Sequence, residues 1–164
     1  TLDGTLFPYT TLFRSLIKLD PQAAMAASKT LQNDESEAII PVLTELYGAN
    51  PDRANLPFFE AKINKVDYMG AFSFFENYRK FLEGLGDAAL LTAGIDRLKT
   101  IALDAGTSQW RRFGATKAIA DLRAYYREKG DTEKLASLKT ALSEIKEKET
   151  DATLKMYYNM FEEP

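Results

Sequence analysis

Helix-capping residues recur at regular intervals from residue 16 onward, and each opens a run with helical apolar spacing. That recurrence constrains the fold more than any single motif. Asp20 with Pro21 starts a helix through about Gln32, because proline at the first helical position gives up only an N–H that has no partner there. Asn33-Asp34-Glu35 breaks it. Ser36 or a neighbour opens IIPVLTELYG, with Pro41 in the first turns and Gly48 closing the end, and NPDRAN is then a loop. Asn55 caps a short helix that has Pro57 near its start and Phe58, Phe59 and Ile63 on one side.

Asp67 opens YMGAFSFFENYRKFLEGLG, in which Phe72, Phe75, Arg79 and Leu82 recur at three- and four-residue spacing, opposite Glu76 and Lys80. Asp87 opens a helix with Leu91, Ile95, Leu98 and Ala102 in period, ended by Gly106. Ser108 caps the longest run, QWRRFGATKAIADLRAYYREKG. Thr132, with Glu133 in the first turn, opens a helix whose Leu135, Leu138, Leu142 and Ile145 form an apolar seam, and LKMYYNMFEEP extends or restarts it. After residue 15 no period-2 alternation with β-branched enrichment marks a strand.

Caps near residues 20, 36, 55, 67, 87, 108 and 132 pair off as helical hairpins of about 35 to 45 residues, the size at which HEAT-like repeats stack. A lone hairpin cannot bury its own apolar stripe; stacked neighbours supply a continuous core. The expectation is an all-α domain over residues 16–164, with antiparallel hairpins stacked as a HEAT-like α-solenoid, the charged KEKETD segment suiting a terminal cap. Phe72, Phe75, Trp110 and Phe113 are expected to be core anchors.

Composition limits the chemistry. The 164 residues, one ordinary domain's worth, include no His and no Cys. This removes a disulfide framework, a Cys/His zinc site, a Ser-His-Asp triad and a Cys-His nucleophile. With 21 basic against 24 acidic side chains the net charge is -3, so neither nucleic acid nor an anionic membrane is an expected partner. No stretch approaches the roughly 18 consecutive apolar residues of a membrane span, and the start lacks a signal-peptide pattern. The chain begins with Thr and is expected to be a piece of something longer.

The opening TLDGTL resembles the first motif of the haloacid dehalogenase-like phosphatases, D-x-D-G-T, whose first Asp attacks phosphate. Thr1 stands at that position, and Asp3 alone cannot form the phospho-aspartate. The strand that should precede the motif and the α/β pattern that should follow are missing. FPYTTLFRS instead resembles translated adapter read-through at the broken end of an assembled reading frame. Phe7, Tyr9, Thr11 and Phe13 alternate like a strand, interrupted by Pro8. Residues 1–15 are therefore expected to be an artefactual or disordered segment, the alternative being an ordered arm or first helix of the domain.

Other motifs read more simply as structure. Gly84-x-Gly86 follows a helix where a phosphate loop follows a strand, so it is a helix end and a turn. Ser143-x-x-Lys146 lies on a helix without the partner motifs of a serine hydrolase. Acidic clusters at Asp34-Glu35, at residues 144–149 and at Glu162-Glu163 are helix faces and ends rather than a calcium loop. In Trp110-Arg-Arg-Phe113 the aromatics, three apart, are expected to face the core. Arg111 and Arg112 take solvent or neighbouring carboxylates and form the one possible interaction surface.

LDPQAAMAASKTLQNDES, LPFFEAKINKVDYMGAFSFFENYRKFL and SQWRRFGATKAIADLR together resemble the C-terminal helical region of bacterial zinc aminopeptidases of the aminopeptidase N type, over about Leu16 to Glu163. The resemblance implies a non-catalytic region that closes over an upstream thermolysin-like domain and limits which peptides reach its zinc. Its partners would be that upstream catalytic domain and the peptide substrates of the parent. The family's H-E-x-x-H and G-x-M-E-N motifs are absent here. No catalytic, cofactor-binding or metal residue is carried onto any position, and zinc belongs to the parent alone. The rival expectation is a free-standing HEAT-like scaffold that binds a protein along its concave face.

Overall fold

The structure, a computed structural model, describes residues 6–32 and 38–161, and of residues 6–10 the backbone alone. Among the described residues it is all-helical, with no strand. The elements in order are α1 Leu6–Leu19, α2 Pro21–Leu31, α3 Ile39–Ala49, a 3-10 turn at Arg53–Asn55, α4 Leu56–Lys62, α5 Tyr68–Leu85, α6 Ala88–Leu103, α7 Gln109–Glu128, α8 Thr132–Lys148 and α9 Ala152–Asn159.

The caps follow the aspartates. Asp20 accepts a hydrogen bond from the Ala23 N–H, Asp87 from those of Ala89 and Leu90, and Asp151 from those of Thr153 and Leu154, all at 2.9–3.1 Å. Each satisfies N–H groups that the first helical turn leaves without a partner. Ser108 caps α7 through the Arg111 N–H at 3.3 Å. Two expected caps shift. Asp131, not Thr132, caps α8 through the Lys134 N–H at 2.9 Å, and the buried Asn55 makes no capping bond but accepts from Gln32 Nε2 at 3.0 Å. The expected cap at Ser36 lies outside the described residues; α3 starts after Ala38 without a side-chain cap.

The segment before residue 16 is helical from Leu6, with Pro8 in the first turn of α1, where its missing N–H breaks no ladder bond. Phe13 is buried, and α1 packs on α2 and α3. The strand-like alternation of Phe7, Tyr9, Thr11 and Phe13 thus gives way to a helix.

Helix α5 lies at the centre, with α3 and α7 on either side and α6 also against it, while α7 is held between α6 and α8. Glycines allow this closeness. A Cβ on Gly48 of α3 would lie 3.0 Å from the Asn77 carbonyl oxygen and 3.2 Å from its Cα. One on Gly94 of α6 would overlap Leu82, and one on Gly114 of α7 would lie 2.9 Å from Phe75 Cδ2. Gly48 therefore does not close α3 as expected: the helix continues to Ala49 and the glycine is a contact point. Gly86, with φ of 65°, does end α5 in the left-handed conformation that favours glycine, as the Gly84-x-Gly86 pattern implied. At the end of α6 it is Asp104, accepting the Gly106 N–H at 2.9 Å, that makes the turn.

The buried stripe of α5 is Ala71, Phe74, Phe75, Tyr78, Phe81 and Leu82, rotated from the expected Phe72-Phe75-Arg79-Leu82 line. Short α4 supplies Phe59, whose ring centroid lies 4.7 Å from Phe81, 5.4 Å from Tyr78 and 5.7 Å from Phe74. Such tilted and edge-on pairs add to the area they bury. No helix of the described residues is long and apolar enough to cross a membrane.

Candidate functional site

Of the four expected core anchors, only Phe75 is fully enclosed. Phe72, Trp110 and Phe113 are half-buried, and Phe72 touches the other two. Phe72, at the start of α5, meets Trp110 and Phe113, one turn apart at the start of α7, with centroids 5.7 and 5.2 Å away and rings nearly perpendicular. Phe113 in turn meets Tyr157 on α9 at 5.5 Å and Phe161 just beyond it at 5.7 Å. Five rings, from α5, α7, α9 and the residues just beyond it, thus form one connected row, with Tyr157 exposed and the other four partly buried.

Two methionines extend the row. Met69, one turn before Phe72, is 73% exposed, and Met160, one turn after Tyr157, is 71% exposed. At the α5 end, Tyr68 and Met69 also border a cavity of about 320 Å³ lined by Ile40, Pro41, Val66 and Phe74. Tyr68 itself holds a left-handed φ of 48°, uncommon for a bulky residue.

The arginines between the aromatics go inward. Arg111 is 8% exposed and donates from Nη1 to the Val66 carbonyl at 2.8 Å, which fastens the α4–α5 turn to α7. Beside it the Ser108 hydroxyl donates to the Asp67 carboxylate, linking the caps of α7 and α5. That hydroxyl bond holds the Asp67 carboxyl below its ordinary value, and burial pulls the Arg111 guanidinium below its own.

Arg112, 9% exposed, has Nε 3.3 Å from Glu149 Oε2 and donates from Nη1 to the Ala105 carbonyl at 3.4 Å. Glu149 Oε1 accepts the N–H groups of Thr150 and Asp151 at 2.9 Å. Burial pushes the nearby Tyr158 hydroxyl up to about 12. The Arg111–Arg112 pair is therefore not an exposed patch: it braces the turns that set α5, α7 and α9 side by side. The pattern held the right segment, but the groups that meet solvent are its aromatics.

Among the described residues no three His, Cys, Asp or Glu side chains converge as metal ligands would. Ser143 is exposed on α8, apart from the row. What the arrangement offers chemically is a partly exposed, polarisable group of aromatic rings in edge-to-face contact, suited to packing against another protein surface. Comparison of the chain with protein-family models, with curated proteins and with solved structures found no match.

Proposed function

We propose that this chain is the non-catalytic helical region of a zinc aminopeptidase of the aminopeptidase N type, packed on the catalytic domain of the same polypeptide and shaping peptide access to it. Its hairpins stack as a HEAT-like solenoid. In support, each odd-numbered helix packs on the next odd one, α1 on α3, α3 on α5, α5 on α7 and α7 on α9, while α6 packs on α8 in a second row. Alternate helices packed on one another in succession are how helical repeats bury their stripes.

The observation that carries the docking role is the row Phe72, Trp110, Phe113, Tyr157 and Phe161, in mutual contact yet half-covered. Aromatic side chains gathered at one surface are the usual centre of an interface. A free-standing scaffold would use the same row for a separate partner. The two readings part at the gene: a reading frame continuing upstream of Leu16 to an H-E-x-x-H motif supports the aminopeptidase, and a stop codon or start Met just before Leu16 refutes it in favour of the scaffold.

A further inference from the structure

We infer that α9 is a detachable flap over one end of the aromatic row, held shut by the Arg112–Glu149 ion pair. The helix is eight residues long, shorter than an isolated helix that persists in water, so it keeps its shape only while docked. It packs on α7 and α8 through two buried side chains, Leu154 and Tyr158, while Lys155, Met156, Tyr157 and Asn159 are exposed. The grip is shallow. A non-helical link, residues 149–151, joins it to α8.

That link carries the catch. The Glu149 side chain is 3% exposed; one oxygen faces the Arg112 guanidinium and the other accepts two N–H groups of the link. The pair fixes the first residue of the link, at the end of α8, against α7, and so adds a directional restraint to the two apolar anchors. Working against it, the Tyr158 hydroxyl is buried beside Thr116 and Glu149 without a well-formed hydrogen bond, a desolvation cost that opening removes. Opening takes Tyr157, Tyr158 and Phe161 off the Phe113 ring and leaves Phe72, Trp110 and Phe113 as a bare apolar step. The inference stands apart from what the row docks on.

Amide hydrogen exchange on the whole chain at neutral pH tests it. Docking and release as a unit predicts that Lys155 through Asn159 exchange at one common protection level, about 100-fold less protected than the amides of α5 and α7. Glu149→Gln, which keeps the shape and removes the charge, should speed α9 exchange by a further tenfold or so while α5 stays within about threefold of its own rate. Protection that falls steadily toward Asn159 would mean simple end fraying and overturn the flap. Protection of α9 equal to that of α5 and α7 would overturn it too, and both results are read on the unaltered protein. Equal acceleration of every helix by the Gln variant would remove the catch.

Discussion

Replacing Gly114 by alanine asks directly whether α5 and α7 approach as closely as described. In a helix interior Gly→Ala gains about 1 kcal/mol, since glycine gives up more backbone freedom on folding. At Gly114 the new Cβ would sit 2.9 Å from Phe75 Cδ2 and 3.4 Å from the Ala71 carbonyl oxygen. Phe75 is wholly buried with its ring against Phe74, so relief must come from the spacing of the two helices. Overpacking of this kind costs about 1–3 kcal/mol, which outweighs or at least cancels the propensity gain.

Gly70 is the internal control, on α5 with nothing within 4 Å of the place a Cβ would take, so Gly70→Ala should keep most of its gain. Urea unfolding followed by circular dichroism measures both. The expected gap between the two variants is about 1–3 kcal/mol, or several degrees in Tm. Phe75→Leu in the Gly114→Ala background should recover part of the loss, as contacting sites couple. Equal stability of the two alanine variants would refute the close approach.

Three further outcomes are expected. Phe75→Ala should cost about 3–5 kcal/mol, and Trp110→Ala clearly less, because its ring is only half-buried; unfolding midpoints check both, and equal losses would contradict the row's exposure. Tyr158 has a folded pKa of about 12 against an ordinary 10.0, so the unfolded chain ionises first; the stabilisation is full below pH 10 and is lost as pH rises through 12. This amounts to about 3 kcal/mol, and Tyr158→Phe should flatten the alkaline slope. The chain alone should show no turnover of amino-acid anilides or phosphate esters and no tight zinc binding by calorimetry, since it offers neither imidazole nor thiolate; chelator-sensitive peptidase turnover would contradict this.

What the sequence revealed was local. Asp20, Asp67, Asp87 and Ser108 were legible as caps because a cap bonds to N–H groups within three residues of itself. Where two candidates adjoin, as Asp131 and Thr132 do, spacing does not choose between them. The α5 stripe was misplaced for a different reason. Aromatics at positions 72, 74, 75, 78 and 81 cover about half the helix, and which of them are enclosed depends on α3, α4, α6 and α7 arriving from distant sequence.

The same distance hid the arginines. Arg111 donates to a carbonyl 45 residues earlier and Arg112 pairs with Glu149, so neither burial leaves a trace near Trp110. Gly48 shows a limit of another kind. A glycine that ends a helix and one that admits a neighbouring backbone look alike in a sequence, and only a positive φ, present at Gly86 and Gly130 and not at Gly48, separates them.

The docking role of the aromatic row is the central claim, and oxidative footprinting tests it most directly. Met69 and Met160 flank the row and are 73% and 71% exposed in the chain by itself. Brief hydroxyl-radical labelling, read by mass spectrometry, should oxidise both readily in the isolated chain. In the proposed aminopeptidase, with the chain joined to a catalytic domain, both should be protected severalfold, while exposed Leu19, at the end of α1, serves as a reference site off the row. Met69 and Met160 labelled as fast in the joined protein as in the isolated chain would contradict docking through this face.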